Sequence, residues 1–184
     1  MRGGRSASSG MTLIEFLVSL AVVLALLRFA VPAMSAMVDS VRLDVANQAM
    51  VSSLQLARNQ AVMRGRHVVL CKSADGQRCS RASGWEQGWI VFQDSNNNAM
   101  LDEEEPVLHK EQALTAHVRL TGNRPVASYI SYTPLGQTHL ASGAFQAGTL
   151  TVCVASFSAL TGRQIVISSS GRARTQYAKL DYCP

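Results

Sequence analysis

Three patterns of apolar and polar positions follow one another along the 184 residues. Residues 1–10 are mostly small and polar, and residues 11–31 form an apolar run whose only charges are Glu15 and Arg28. As a helix those 21 residues would rise about 31 Å, close to the hydrocarbon thickness of a bilayer. Past Pro32 the apolar positions narrow to a stripe, Leu43, Ala46, Met50, Leu54, Ala57 and Ala61, at steps of three and four. Arg42, Asp44, Gln48, Gln55, Arg58 and Asn59 fall on the other face, so the pattern predicts a helix that continues with a sheet against its stripe. Gly65 ends it. Short β-rich runs then take over at 67–72, 89–93, 117–120, 129–132, 149–154 and 164–168, separated by clusters of Gly, Pro, Asn and Ser. About 120 residues make up this last part, enough for one core and too few for two.

The charges refine that division. Arg2 and Arg5 precede the apolar run with no acid beside them, which places the N-terminus in the cytoplasm and the bulk of the chain across the membrane. Residues 1–10 are too short and polar to pack and read as a processing segment. A secretory signal with its apolar core at 16–27 is the simpler alternative, but such a core has no use for Glu15 or Arg28. An ionised carboxylate at bilayer depth costs roughly 2.5–3.5 kcal/mol, so Glu15 calls for a partner charge. Arg28 can carry its head to the outer interface or pair with an acid on another subunit.

Gly10-Met11-Thr12-Leu13-Ile14-Glu15, followed by an apolar helix with Pro32, resembles the N-terminus of the type IV pilin and type II secretion pseudopilin superfamily. The resemblance implies cleavage after Gly10 by a prepilin peptidase and N-methylation of the new terminus, Met11. It also implies that Glu15 neutralises the terminal amine of a neighbouring subunit during fibre assembly. Met11 stands where the family usually has Phe, and Arg28 interrupts a stretch that is usually uncharged. The expected fold is α+β and type IV pilin-like, a long N-terminal helix packed on an antiparallel β-sheet head. Its parts are a leader at 1–10, a transmembrane and assembly half of the helix at 11–36, and a head at 37–184. The head divides into an amphipathic helix, 37–64, and a β-rich domain, 65–184. Such a chain sits in the inner membrane with its head in the periplasm, then in an extracellular pilus.

Cys71, Cys79, Cys153 and Cys183 are even in number and lie in the part placed outside the cytoplasm, so disulfides are expected. Of the three possible pairings, Cys71 with Cys79 and Cys153 with Cys183 is favoured, because it ties one hairpin and pins the C-terminal tail. No cysteine pair has two-residue spacing and the four histidines are scattered, so neither a metal nor another cofactor is expected.

The central run from Gly84-Trp85-Glu86-Gln87-Gly88-Trp89 through Asp94-Ser95-Asn96-Asn97-Asn98, with the later acids Asp102 to Glu105, is similar to the heads of the GspH/FimT group of minor pilins and pseudopilins. The same turn nearly fits a calcium loop, with Asp94, Asn96, Asn98, Asp102 and Glu105 at the first, third, fifth, ninth and twelfth places. Ala99 stands where that loop needs glycine, and the run before it reads as strand. A turn whose Asp and Asn side chains bond nearby backbone N–H groups is expected instead.

Near the C-terminus, Gly171-Arg172-Ala173-Arg174 puts two arginines two residues apart. On an extended chain they would face the same way about 6.7 Å apart, a spacing suited to a phosphodiester strand. Gly171 would let the backbone bend or let a ligand approach closely. The chain carries +5 overall, and from Pro106 onward seven Lys or Arg stand against two acids, while 94–105 is acidic. The Gly-Arg-x-Arg element is similar to the C-terminal motif of FimT-like minor pilins implicated in DNA capture for natural transformation, or competence. The rival is a solvated edge strand whose arginines prevent pairing or meet another pilin's acids.

Two functions follow. One is a minor pilin that holds DNA without sequence preference through Gly171, Arg172, Arg174 and Lys179, with Arg124 or Arg163 as further candidates. The other is a subunit resembling FimU or GspH that primes a pilus or a type II secretion pseudopilus without binding DNA. Partners are DNA, the major and minor pilins of the fibre, the peptidase during processing, and the inner membrane before assembly. An enzyme is not expected, since His67, His109, His117 and His139 lie in separate segments and no nucleophile, base and orienting acid come together by a known motif.

Overall fold

The structure, a computed structural model, describes residues 12–82, 84–154 and 161–183, with backbone alone at 27 and 29–33. Gly10 and Met11 lie outside the described residues, as does the leader. The chain divides into two compact units, Met1–Asp39 and Ser40–Pro184.

Helix α1 spans Leu13–Arg64. In the first unit its start is tied by Thr12 and Glu15: the Thr12 N–H and hydroxyl each donate to Glu15 Oε2 at 2.9 Å, and the Glu15 N–H points back at Thr12 Oγ1 at 3.4 Å. This reciprocal arrangement is a capping box, which satisfies donors that a helix start leaves free. Apolar side chains beyond it, among them Leu13, Ile14 and Phe16, are more than half exposed. Among the described residues no helix is long and apolar enough to cross a membrane.

In the second unit every residue of the stripe, from Leu43 to Ala61, is buried. Two antiparallel four-stranded sheets accompany the helix. The first, in the order β3-β2-β1-β5, is built from β1 (His67–Lys72), β2 (Trp89–Asp94), β3 (Val107–Glu111) and β5 (Tyr129–Tyr132). The second, in the order β4-β6-β7-β8, is built from β4 (Val118–Gly122), β6 (Gly148–Val154), β7 (Thr161–Ile167) and β8 (Ala173–Lys179). The stripe joins Val68, Leu70, Val91, Leu120, Ile130, Leu150, Val152 and Ile165 in one core. Trp85 and Trp89 are fully buried in it, their indole N–H groups donating to the Val126 carbonyl at 3.1 Å and to Ser53 Oγ at 2.9 Å.

Strands β1 and β2 are apolar on both faces because both are covered. Val69, Cys71, Ile90 and Phe92 form a second, smaller core with Ala99, against which Cys79 and Leu101 pack. The Asp94–Glu105 turn is therefore a lid on the sheet's outer side. Asp94 accepts from the backbone N–H groups of Asn98 and Ala99 at 3.2 and 2.8 Å, and Glu105 accepts from those of Ser95 and Asp102 at 2.6 and 3.2 Å. Ala99 takes φ +59° in the slot a calcium loop gives to glycine.

The structure departs from the sequence pattern in several places. There are two sheets rather than one. Strand β3 lacks alternation, and its residues are mostly half-buried at the sheet edge. Strand β4 starts one residue late because His117 sits at φ +75°, outside the extended region.

Disulfides join Cys71 to Cys79 and Cys153 to Cys183, with Cα–Cα distances of 5.5 and 5.7 Å. The second closes a separation of 30 residues, for which the chain-entropy model gives about 3.7 kcal/mol. Replacing Cys153 and Cys183 by Ala is expected to lower the melting temperature by roughly 10 °C, measured by circular dichroism. An unchanged transition would show that the tail adds nothing to the head's stability.

Candidate nucleic-acid interface

The Gly-Arg-x-Arg element forms the tip of the β7–β8 hairpin. The Gly171 N–H donates to the Ser168 carbonyl at 2.8 Å and the Ser168 N–H donates to the Arg172 carbonyl at 3.0 Å, leaving Ser169, Ser170 and Gly171 as a three-residue loop. A left-handed residue closes a loop of this kind, and Gly171 supplies it with φ +75°. Gly171 is buried, and a Cβ there would collide with the Gly136 carbonyl oxygen. The backbone whose close approach needs this glycine is thus the chain's own. Gly171→Ala is expected to cost about 2–3 kcal/mol through clash and left-handed strain, seen as an earlier urea midpoint.

Past the turn, Ala173 pairs with Ile167 and Arg174 with Val166. Ala173 packs on the core, so by alternation Arg172 and Arg174 flank it on the outer face, and both are exposed. The outer face of this sheet continues with Gln176, bonded to Gln164 at 3.0 Å, then Thr151 and Thr121 in register. These neighbours are polar and uncharged. Neither arginine has an ion pair among the described residues.

The other basic candidates separate from this pair. Lys179 is exposed but falls on the opposite alternation, roughly 17 Å along the strand from Arg174. Arg163 is buried, donates to Asp44 Oδ1 at 2.9 Å and lies 4.1 Å from the Tyr177 ring, so it ties β7 to the helix. That corrects its place among the DNA candidates. Arg124 is exposed in the short turn between β4 and β5.

One residue missed from the sequence lies beside the hairpin. Arg58, half-buried on α1, donates through Nε to the Gly136 carbonyl at 3.0 Å and through Nη2 to the Ser170 carbonyl at 3.4 Å. It clamps the two turns that meet at Gly171. Leu54, Gln55, Arg58, Tyr132, Gly171, Arg172 and Ala173 line a cleft there. Burial holds the Tyr132 hydroxyl above its ordinary pKa, with the Arg58 charge pulling the other way. Arg58 gave no sequence signal because its bonds reach 78 and 112 residues along the chain.

A family model described as type II transport protein GspH matches residues 46–171, more than half of the chain. The chain belongs to the GspH family. The match to the GspH model stops at Gly171, so Arg172, Arg174 and Lys179 lie beyond it. Among solved structures, the type IV minor pilin FimU of Pseudomonas aeruginosa is 19% identical with a TM-score of 0.54, over 73% of this chain and 87% of that one. A second crystal form of FimU gives 18% identity and a TM-score of 0.51, over 73% and 92%. The minor pseudopilin EpsH from the type II secretion system of Vibrio cholerae is 12% identical with a TM-score of 0.49, over 73% and 96%. No curated protein matches at a significant level. The fold of this GspH-family chain is type IV pilin-like, a long helix with an antiparallel β-rich head.

Proposed function

We propose that this GspH-family protein is a minor pilin that holds DNA on the fibre, in support of natural transformation. The observation that carries this is the pair Arg172 and Arg174, exposed together beside a hairpin turn with no carboxylate on either among the described residues. Two guanidinium groups a strand repeat apart suit successive phosphates, and nothing beside them reads base edges, so binding is independent of sequence. Gly171 shapes the turn, and Lys179 is at most an outlying contact.

In the same proposal the leader is cut after Gly10 by the prepilin peptidase, Met11 is methylated, and residues 11–36 hold the chain in the inner membrane until Glu15 meets a neighbour's amine. The exposed apolar side chains from Leu13 onward support that placement. The head is then carried among major and minor pilins outside the cell. One observation favours the assembly-only alternative: β8 is an edge strand whose outer edge pairs with no strand of the sheet, and an acidic partner strand could add there.

The test is a DNA titration of the full chain in detergent micelles at several salt concentrations. The contacts of Arg172 and Arg174 contribute about −1.8 to the slope of log affinity against log salt on duplex DNA, equal for unrelated sequences. Binding that is absent, or indifferent to salt, overturns the proposal in favour of the assembly subunit.

A further inference from the structure

We infer that the cleft between α1 and the β7–β8 turn is a seat for one phosphate group of the bound strand, with Arg58 as a third cationic contact beside Arg172. This rests on the DNA-binding function proposed above. Of the five N–H donors of a guanidinium, Arg58 spends one Nε and one Nη2 bond on the Gly136 and Ser170 carbonyls. Three remain for a ligand. The cleft that Arg58 lines is also lined by Arg172, by the exposed Gln55 and by Tyr132, and no carboxylate is among its lining residues.

The Arg58 guanidinium and the amide of the exposed Gln55 are donors at one opening with no competing acid among its lining residues, the chemistry that takes up a phosphate oxygen. The two carbonyl bonds also fix the orientation of the Arg58 fork before a ligand arrives. Less side-chain freedom is then lost on binding than for a free surface lysine. The seat extends the contact from the outer sheet face around the hairpin tip to the helix, so a strand would wrap the turn instead of touching it at one point.

The experiment compares the full chain in micelles with Arg58→Gln, Arg58→Lys and Gln55→Glu, each titrated with DNA over a salt series and each melted alone. Arg58→Gln is expected to flatten the salt slope by about 0.9 and weaken binding several-fold, while Arg58→Lys, which keeps the charge, retains the slope. Gln55→Glu sits on the exposed helix face and places a carboxylate in the seat. It is expected to weaken binding several-fold with an unchanged melting curve, which keeps the test decisive if Arg58→Gln does not fold. Wild-type slopes in both Arg58→Gln and Gln55→Glu overturn the seat while leaving the Arg172 and Arg174 site standing. Equal loss in Arg58→Lys and Arg58→Gln also overturns it, leaving Arg58 as a clamp of the two turns. A wild-type chain that binds no DNA removes the underlying function as well.

Discussion

Glu15→Gln is expected to abolish incorporation of the chain into a fibre while leaving its helix start and head intact. The carboxylate has two separable roles. Within one chain it accepts from the Thr12 N–H and hydroxyl, a capping box in which Gln serves nearly as well as Glu. Between chains, in the proposed assembly, its charge answers the amine of a neighbouring subunit in a medium where an unpaired ion is costly. Gln keeps the first role and removes the second, whereas Glu15→Ala removes both. The measurement is the fraction of subunit in sheared fibres against the fraction left in membranes. If the Gln variant enters fibres at the wild-type level, charge neutralisation is not what Glu15 does. If Ala fails and Gln succeeds, the cap is its function.

Replacing Arg172 and Arg174 together by Ala is expected to weaken DNA binding roughly 10- to 100-fold and to remove most of the salt dependence, since each lost phosphate contact takes about 0.9 from the slope. Stability should change by less than about 0.5 kcal/mol, because both side chains are exposed and neither has an ion pair among the described residues. The same variants, measured by titration and melting, separate binding from folding. A drop of several degrees in melting temperature would identify the arginines as structural. A retained affinity would move DNA contact elsewhere or remove it from this subunit.

The helix was legible in the sequence because a 3.6-residue period depends only on neighbours along the chain, and each of Leu43, Ala46, Met50, Leu54, Ala57 and Ala61 is buried. Strand β1 was legible to the residue, as its apolar run is bounded by Gly65 and the cysteine loop. Strand β8 was not, since Arg174, Thr175, Gln176 and Tyr177 are all exposed and leave no alternation to detect. The arginines show the same limit. Arg163 and Arg174 are indistinguishable by composition, yet one is buried against Asp44, 119 residues away, and the other is free of ion pairs among the described residues. What decides between them is the tertiary register, which local sequence does not encode. Gly171 was legible as a bend, but its second requirement comes from the turn at Gly136, 35 residues away.

The link between Cys153 and Cys183 takes on a mechanical meaning once the hairpin tip is a point of attachment. An edge strand is bonded on one side only, to β7, and tension on a cargo would tend to peel it away one hydrogen-bonded pair at a time. Peeling has to begin at an end. One end of β8 is continuous with β7 through the Ser169–Gly171 loop, and the other is fastened four residues beyond Lys179 to β6, across the intervening strand. In the proposed DNA-holding role, a load taken at Arg172 and Arg174 meets a strand that cannot unzip from its tail while that covalent link holds.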